Sequence, residues 1–133
     1  TGPVVKYLSL QTVRTIHDDQ VETFGGDPGV RNLDALKSAH QQPLQRYADK
    51  QLYPTIHQKS AALGHGLISN HPFVDGNKRT GVASMLLLLE INDLHFDATN
   101  QELVQQALKI ARGKITKNEL TNWLKNHTGK AKL

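Results

Sequence analysis

The chain has 133 residues, a net charge of +4 and no cysteine. That length is enough for one domain with a real hydrophobic core, and the absence of cysteine excludes disulfides, thiolate metal sites and a cysteine nucleophile. With 38% hydrophobic and 21% charged residues, the composition is that of a folded globular chain rather than a disordered one.

The elements read as successive helices punctuated by Gly, Pro and Asn. The opening Thr1-Gly2-Pro3 is set aside as a possible cloning remnant. Ser9 can cap a first helix whose inner side carries Leu10, Val13, Ile16, His17, Val21 and Phe24, and Gly25-Gly26 stops it. Gly25-Gly26-Asp27-Pro28-Gly29 is a strong turn signal. A shorter helix from about Asn32 has Leu33, Leu36, Ala39 and His40 as its inner face and ends before Pro43. Residues 43–52 lack clear periodicity and read as a loop or short hairpin. Pro54 marks the start of a third helix, with Ile56, Leu63, Leu67 and Ile68 buried, running to Asn70.

The 71–76 loop leads straight into a fourth helix that runs to about Asn92 and is the most apolar in the chain, with Met85 and four consecutive leucines between Val82 and Ile91. Leu94-His95-Phe96 reads as a brief extended piece. Two capping boxes, Thr99…Glu102 and Thr116…Glu119, open the last two helices. Their inner faces are Leu103, Val104, Ala107, Leu108 and Ala111, then Leu120, Trp123 and Leu124. The expectation is an all-α single domain over residues 1–133, about six helices with a small hairpin or loop flap, and a flexible, Lys-rich tail from 128 to 133. The longest apolar run is far too short to span a bilayer, and no secretory pattern opens the chain, so a cytoplasmic protein without a membrane partner is expected. The charges are scattered and aromatics make up only 5% of the chain, which points away from direct nucleic-acid binding despite the basic balance.

Residues 71–79 read His-Pro-Phe-Val-Asp-Gly-Asn-Lys-Arg and lead directly into the apolar helix. Polar chemistry at the start of a buried helix suits an anion, because a helix N-terminus offers unpaired N–H groups and the positive end of its dipole. Gly76 lets the backbone bend closely round a phosphate, and Lys78 and Arg79 add formal charge. His71 can take a proton from a hydroxyl near neutral pH. Asp75 can hold Mg²⁺, a hard cation that prefers carboxylate and phosphate oxygens. Phe73 would point inward and pin the loop. Taken singly, His71 is a surface histidine, Asp75 or Asn77 an ordinary helix cap, and Lys78 and Arg79 solvated charges. However, two cations at the positive end of a helix are misplaced unless an anion offsets them. A non-catalytic module that merely holds an anion fits the same cations.

His-Pro-Phe-Val-Asp-Gly-Asn-Lys-Arg-Thr resembles the signature of the Fic/Doc family, and more specifically its Doc (death-on-curing) branch of toxins from toxin–antitoxin modules. Phe24-Gly25-Gly26, Gly29-Val30-Arg31, Ser38-Ala39, Gln42-Pro43 and Ala61-Ala62-Leu63 extend the likeness over roughly residues 8–95. The resemblance implies a compact Fic-like bundle and an enzyme that uses ATP and Mg²⁺. It makes His71 the catalytic base and Asp75 the metal ligand. Gly76, Asn77, Lys78 and Arg79 would hold the nucleotide, with Lys78 and Arg79 also serving catalysis.

Fic proteins usually transfer AMP to a protein hydroxyl. Two positions here depart from that pattern: Lys78 replaces the second glycine of Gly-Asn-Gly, and Val82 stands where a second arginine is expected. Both changes are similar to Doc. They imply transfer of the γ-phosphate to a Thr or Ser of a translation factor, elongation factor Tu, with AMP transfer as the alternative. Residues 41–53 would form the flap where the target docks. The Doc likeness also implies a separate Phd-type antitoxin whose C-terminal segment folds on the toxin, and a groove between helices would suit an acidic amphipathic segment.

The remaining histidines show no tight metal-ligand spacing. His17 and His40 are expected as hydrogen-bonded core residues and His65 as a packing residue. Arg31 is expected to pair within its loop rather than line the nucleotide site.

Overall fold

The computed structural model describes residues 5–130. Its elements, in chain order, are α1 (Leu10–Phe24), α2 (Leu33–Gln41), a 3-10 turn (Gln42–Leu44), β1 (Arg46–Tyr47), β2 (Lys50–Gln51), α3 (Ile56–Ser69), α4 (Asn77–Ile91), β3 (Leu94–Phe96), α5 (Asn100–Ala111), α6 (Lys117–Asn126) and β4 (Thr128–Lys130). The all-α class with a small flap therefore holds.

Local chemistry sets the helix starts. Ser9 and Asn32 cap α1 and α2 with side-chain oxygens. Thr99–Glu102 and Thr116–Glu119 form reciprocal capping boxes on α5 and α6. The start of α3 falls two residues later than Pro54 suggests. Thr55 is the cap and forms a third capping box with Gln58, which leaves Pro54 ahead of the helix. In the flap, Ala48 (φ 49°) and Asp49 (φ 64°) are both left-handed and connect β1 to β2 in register Tyr47↔Lys50. That is the twist a two-residue hairpin turn requires.

α3 lies at the centre and packs against α2, α4, α5 and α6, while α1 packs on α4. One apolar cluster (Val13, Leu36, Leu63, Leu67, Phe73 and Leu88 among others) joins α1, α2, α3 and α4. The second (Ile68, Met85, Leu89, Ile110, Leu120 and Leu124 among others) joins α3 and α4 to α5 and α6. The α3–α4 contact is close because of glycine. A Cβ on Gly81 would lie 2.6 Å from Ile68 Cγ1 and 3.1 Å from the Gly64 carbonyl oxygen. Ile68 is fully buried and cannot swing away. Gly81→Ala is therefore expected to lower stability by about 1–2 kcal/mol, overpacking outweighing the gain in helix propensity. A lower urea midpoint with an unchanged slope checks this.

Three expectations about faces are corrected. Phe24 (58% exposed), Leu33 (43%) and Val104 (57%) are not core residues. Phe24 and Val104 instead line an open groove between α1, α4 and α5. Ile110, outside the expected inner face of α5, is buried. The tail expected from residue 128 begins as a strand: β4 pairs antiparallel with β3, Phe96 opposite Thr128 and Leu94 opposite Lys130. The possible cloning remnant at 1–3 and the end of the tail at 131–133 lie outside the described residues. Trp123 is half-buried and packs on the second cluster, with Phe96 at 5.5 Å and His127 at 4.4 Å between ring centroids.

Among the described residues no helix is long and apolar enough to cross a membrane.

Candidate active site

The stretch from α3 to α4 forms the wall of one open cleft of about 320 Å³, lined by His71, Val74, Asp75, Gly76, Asn77, Lys78 and Arg79. Every residue singled out as a site residue from the sequence is thus in one place. Their roles within it differ from what residue type alone suggests.

Neither Asp75 nor Asn77 caps α4. The cap residue is Gly76, at φ 80° and ψ 14°, with no side-chain bond to the helix. A Cβ there would be held in the left-handed region and would touch His17 Cδ2 at 3.4 Å. Asp75 turns its Oδ2 to the Asp27 N–H at 2.8 Å. Asn77 is buried, and its amide clasps Phe73 at both ends: Oδ1 accepts from the Phe73 N–H at 3.0 Å and Nδ2 donates to the Phe73 carbonyl at 2.9 Å. The first helical bond runs from the Thr80 N–H to the Gly76 carbonyl. The N–H groups of Asn77, Lys78 and Arg79 consequently meet no protein acceptor among the described residues, and face the cleft at the positive end of a 15-residue helix.

Lys78 and Arg79 are exposed at the same place, and neither forms an ion pair among the described residues. Arg79 lays its guanidinium over the Phe24 ring, 4.7 Å from its centroid. The His71 ring is exposed and free of protein hydrogen bonds among the described residues, and its backbone is left-handed at φ 47°. Phe73 points inward as expected, 1% exposed.

Two partners of the loop come from far away in the chain. His17 was expected to be a satisfied core histidine, and it is buried. Its Nε2 meets the Asp75 carbonyl at 2.7 Å, which requires the proton on Nε2, and its ring stacks on Phe73 at 3.7 Å and 7°. Among the described residues Arg31 forms no salt bridge. Its guanidinium donates to the carbonyls of His71 (2.7 Å) and Asn70 (3.0 Å). The sequence signals were indirect: His17 lies on the apolar face of the first helix, and Arg31 closes the Gly29-Val30-Arg31 segment that carries part of the family likeness. His40 and His65 are structural: each meets a backbone carbonyl, of Leu8 and Ile115 respectively.

A metal at this cleft would have one protein carboxylate. No group of three or more His, Asp or Glu side chains converges among the described residues. Asp75, with one oxygen engaged by Asp27 and the residue exposed, fits the way Mg²⁺ is held by one or two carboxylates together with phosphates and water. The flap is anchored from below by Lys59, whose buried ammonium donates to Gln51 Oε1 at 2.6 Å and to the Tyr53 carbonyl. Burial holds its pKa below the ordinary lysine value.

This loop and helix start, set between α1, α2 and α3, define the Fic class of fold and site. The chain matches the Fic/DOC family over residues 7–89 and belongs to it. Toxin Doc of Mycolicibacterium smegmatis (strain ATCC 700084 / mc(2)155) is 39% identical over 95 residues, 71% of each chain. Protein kinase doc of Escherichia phage P1 is 26% identical over 128 residues, 96% of this chain and 99% of that protein. Both place the chain beside the Doc branch.

Proposed function

We propose that this protein is the toxin of a toxin–antitoxin pair and a phosphotransferase that moves the γ-phosphate of ATP to a Thr or Ser hydroxyl of a translation factor, elongation factor Tu. The observation that carries the reading is the uncapped start of α4. Three N–H groups and two cations, without protein partners among the described residues, converge on a cleft that also holds His71 and Asp75. A solvated surface would spend Asp75 or Asn77 on capping; here both are committed to shaping the loop.

His71 takes the proton of the target hydroxyl as its oxygen attacks the γ-phosphorus and the bond to the ADP oxygen breaks. Lys78, Arg79 and the N–H groups of the first turn of α4 balance the charge that moves onto ADP. Asp75 would hold Mg²⁺, which would supply further neutralisation of phosphate charge when bound. Gly76 permits the close backbone approach, and Asn77 contributes its N–H while its side chain fixes the loop. The flap of β1 and β2 would receive the target segment beside the cleft.

Val82 favours phosphate over AMP transfer. It lines the apolar groove with Phe24, Leu86 and Leu103, where an arginine for a second phosphate would otherwise stand. The name of the phage P1 relative agrees with a kinase. That groove, about 550 Å³ and bordered by Lys78 and Arg79, suits the antitoxin: an amphipathic segment could cover its apolar floor and set an acidic side chain against the two cations. Such a segment would block the cleft at the same time.

Incubation of the protein with Mg²⁺, elongation factor Tu and either γ-labelled or α-labelled ATP tests the reading. The γ label is expected on the protein target, and a C-terminal antitoxin peptide is expected to suppress its transfer. Transfer of the α label alone would establish AMP transfer, and transfer of neither would leave an anion-binding module.

A further inference from the structure

We propose that Arg31 is a positioning residue for the reaction: by gripping the backbone carbonyls of Asn70 and His71, it holds the His71 ring in the cleft. The inference rests on the proposed role of His71 as the base.

His71 adopts φ 47°, a region that residues with a Cβ rarely enter. Such a conformation persists where the surroundings over-determine it, and here they do. The Arg31 Nε–H donates to the His71 carbonyl at 2.7 Å and a terminal N–H donates to the Asn70 carbonyl at 3.0 Å. The next carbonyl, that of Pro72, accepts from both the Arg31 and Asn32 N–H groups at 2.8 and 3.0 Å, and the Val74 N–H donates to Gly29 at 3.0 Å. Three successive carbonyls, residues 70 to 72, are therefore turned towards one side chain and the chain beside it. His71 can point its ring away from them, into the cleft, only while they stay there.

The charge of Arg31 also suits its place. Asn70 is the C-cap of α3, so the guanidinium lies at the negative end of that 14-residue helix, where a cation is favoured. No carboxylate pairs with Arg31 among the described residues. Its donors are spent on the backbone of the motif, in the fork geometry that arginine alone provides. A lysine could reach one carbonyl but could not bridge both.

The test uses the full chain. Arg31→Gln is expected to lower kcat about 10- to 100-fold with the KM for ATP changed less than about twofold, since the nucleotide cradle is untouched. Hydrogen exchange should quicken in peptides covering residues 70–77 and stay unchanged in α5 and α6. Arg31→Lys should fall between wild type and Arg31→Gln in both readings, and millimolar guanidinium should restore part of the lost kcat in Arg31→Gln. Lys37→Gln, which removes an exposed cation of α2, should change neither.

Unchanged kcat, or equal quickening of exchange across α3, α5 and α6, would overturn the proposal, the second by making Arg31 a general stabiliser. If Arg31→Gln does not fold, Arg31→Lys decides by the same two readings. If the wild-type chain transfers neither label, the proposed function fails, and exchange confined to residues 70–77 still decides whether Arg31 holds the loop.

Discussion

His71→Ala is expected to reduce phosphate transfer by about 10²- to 10⁴-fold, the usual contribution of a positioned general base, while ATP binding stays close to wild type. The two halves of this expectation have separate structural origins. The ring of His71 is exposed and bonds to no protein group among the described residues, so its removal leaves no buried polar atom unpaired and no cavity. The elements suited to hold phosphates, the first N–H groups of α4 with Lys78 and Arg79, do not involve it. Single-turnover transfer of the γ label, set against calorimetric titration with ATP, separates the two. Undiminished transfer would remove His71 from the mechanism. Loss of binding together with transfer would mean that the side chain belongs to the nucleotide cradle.

Phe73→Ala is expected to cost about 3–5 kcal/mol of folding stability, the largest effect of any single truncation in the motif. Phe73 is 1% exposed and belongs to the cluster of Val13, Leu36, Leu63, Leu67 and Leu88. Its ring stacks flat on His17, which in turn holds the Asp75 carbonyl. The truncation would thus leave a cavity and free one face of a buried imidazole. Equilibrium urea unfolding measures the loss. Phe73→Leu, closer in volume, should lose about 1–2 kcal/mol. A cost for Phe73→Ala below that of Phe73→Leu would show that the loop is anchored elsewhere. Because the same ring seats the motif, activity is expected to fall in Phe73→Ala even at temperatures where the protein remains folded.

Both variants lie in a stretch whose chemistry could be read before the fold. Base, carboxylate, glycine and cations are neighbours along the chain, so any fold that starts a helix at residue 77 brings them together. The roles of Asp75 and Asn77 could not be read in that way. Either is an ordinary cap by residue type, yet one bonds to Asp27 and the other to Phe73. The difference arises because the α1–α2 loop comes to lie along the motif: a Cβ on Gly26 would approach Asp75 Cβ to 3.0 Å. That crossing leaves the helix start uncapped, and without it the cleft would be a solvated turn.

The sequence by itself determined the helices and, apart from that of α3, their starts. Caps such as Ser9, Asn32, Thr99–Glu102 and Thr116–Glu119 act within one turn, and apolar periodicity within one helix, so both are written locally. It also determined the contents of the site, because those contents are contiguous. Tertiary structure alone decided which ends of the inner faces stay open, as at Phe24 and Val104, and that β3 would find β4. It also decided what holds the loop: Arg31 bonds to His71 across 40 residues and His17 to Asp75 across 58. Contacts at such separations depend on how whole helices are placed by their packing, and periodicity within a single helix carries no information about which distant residue will face it.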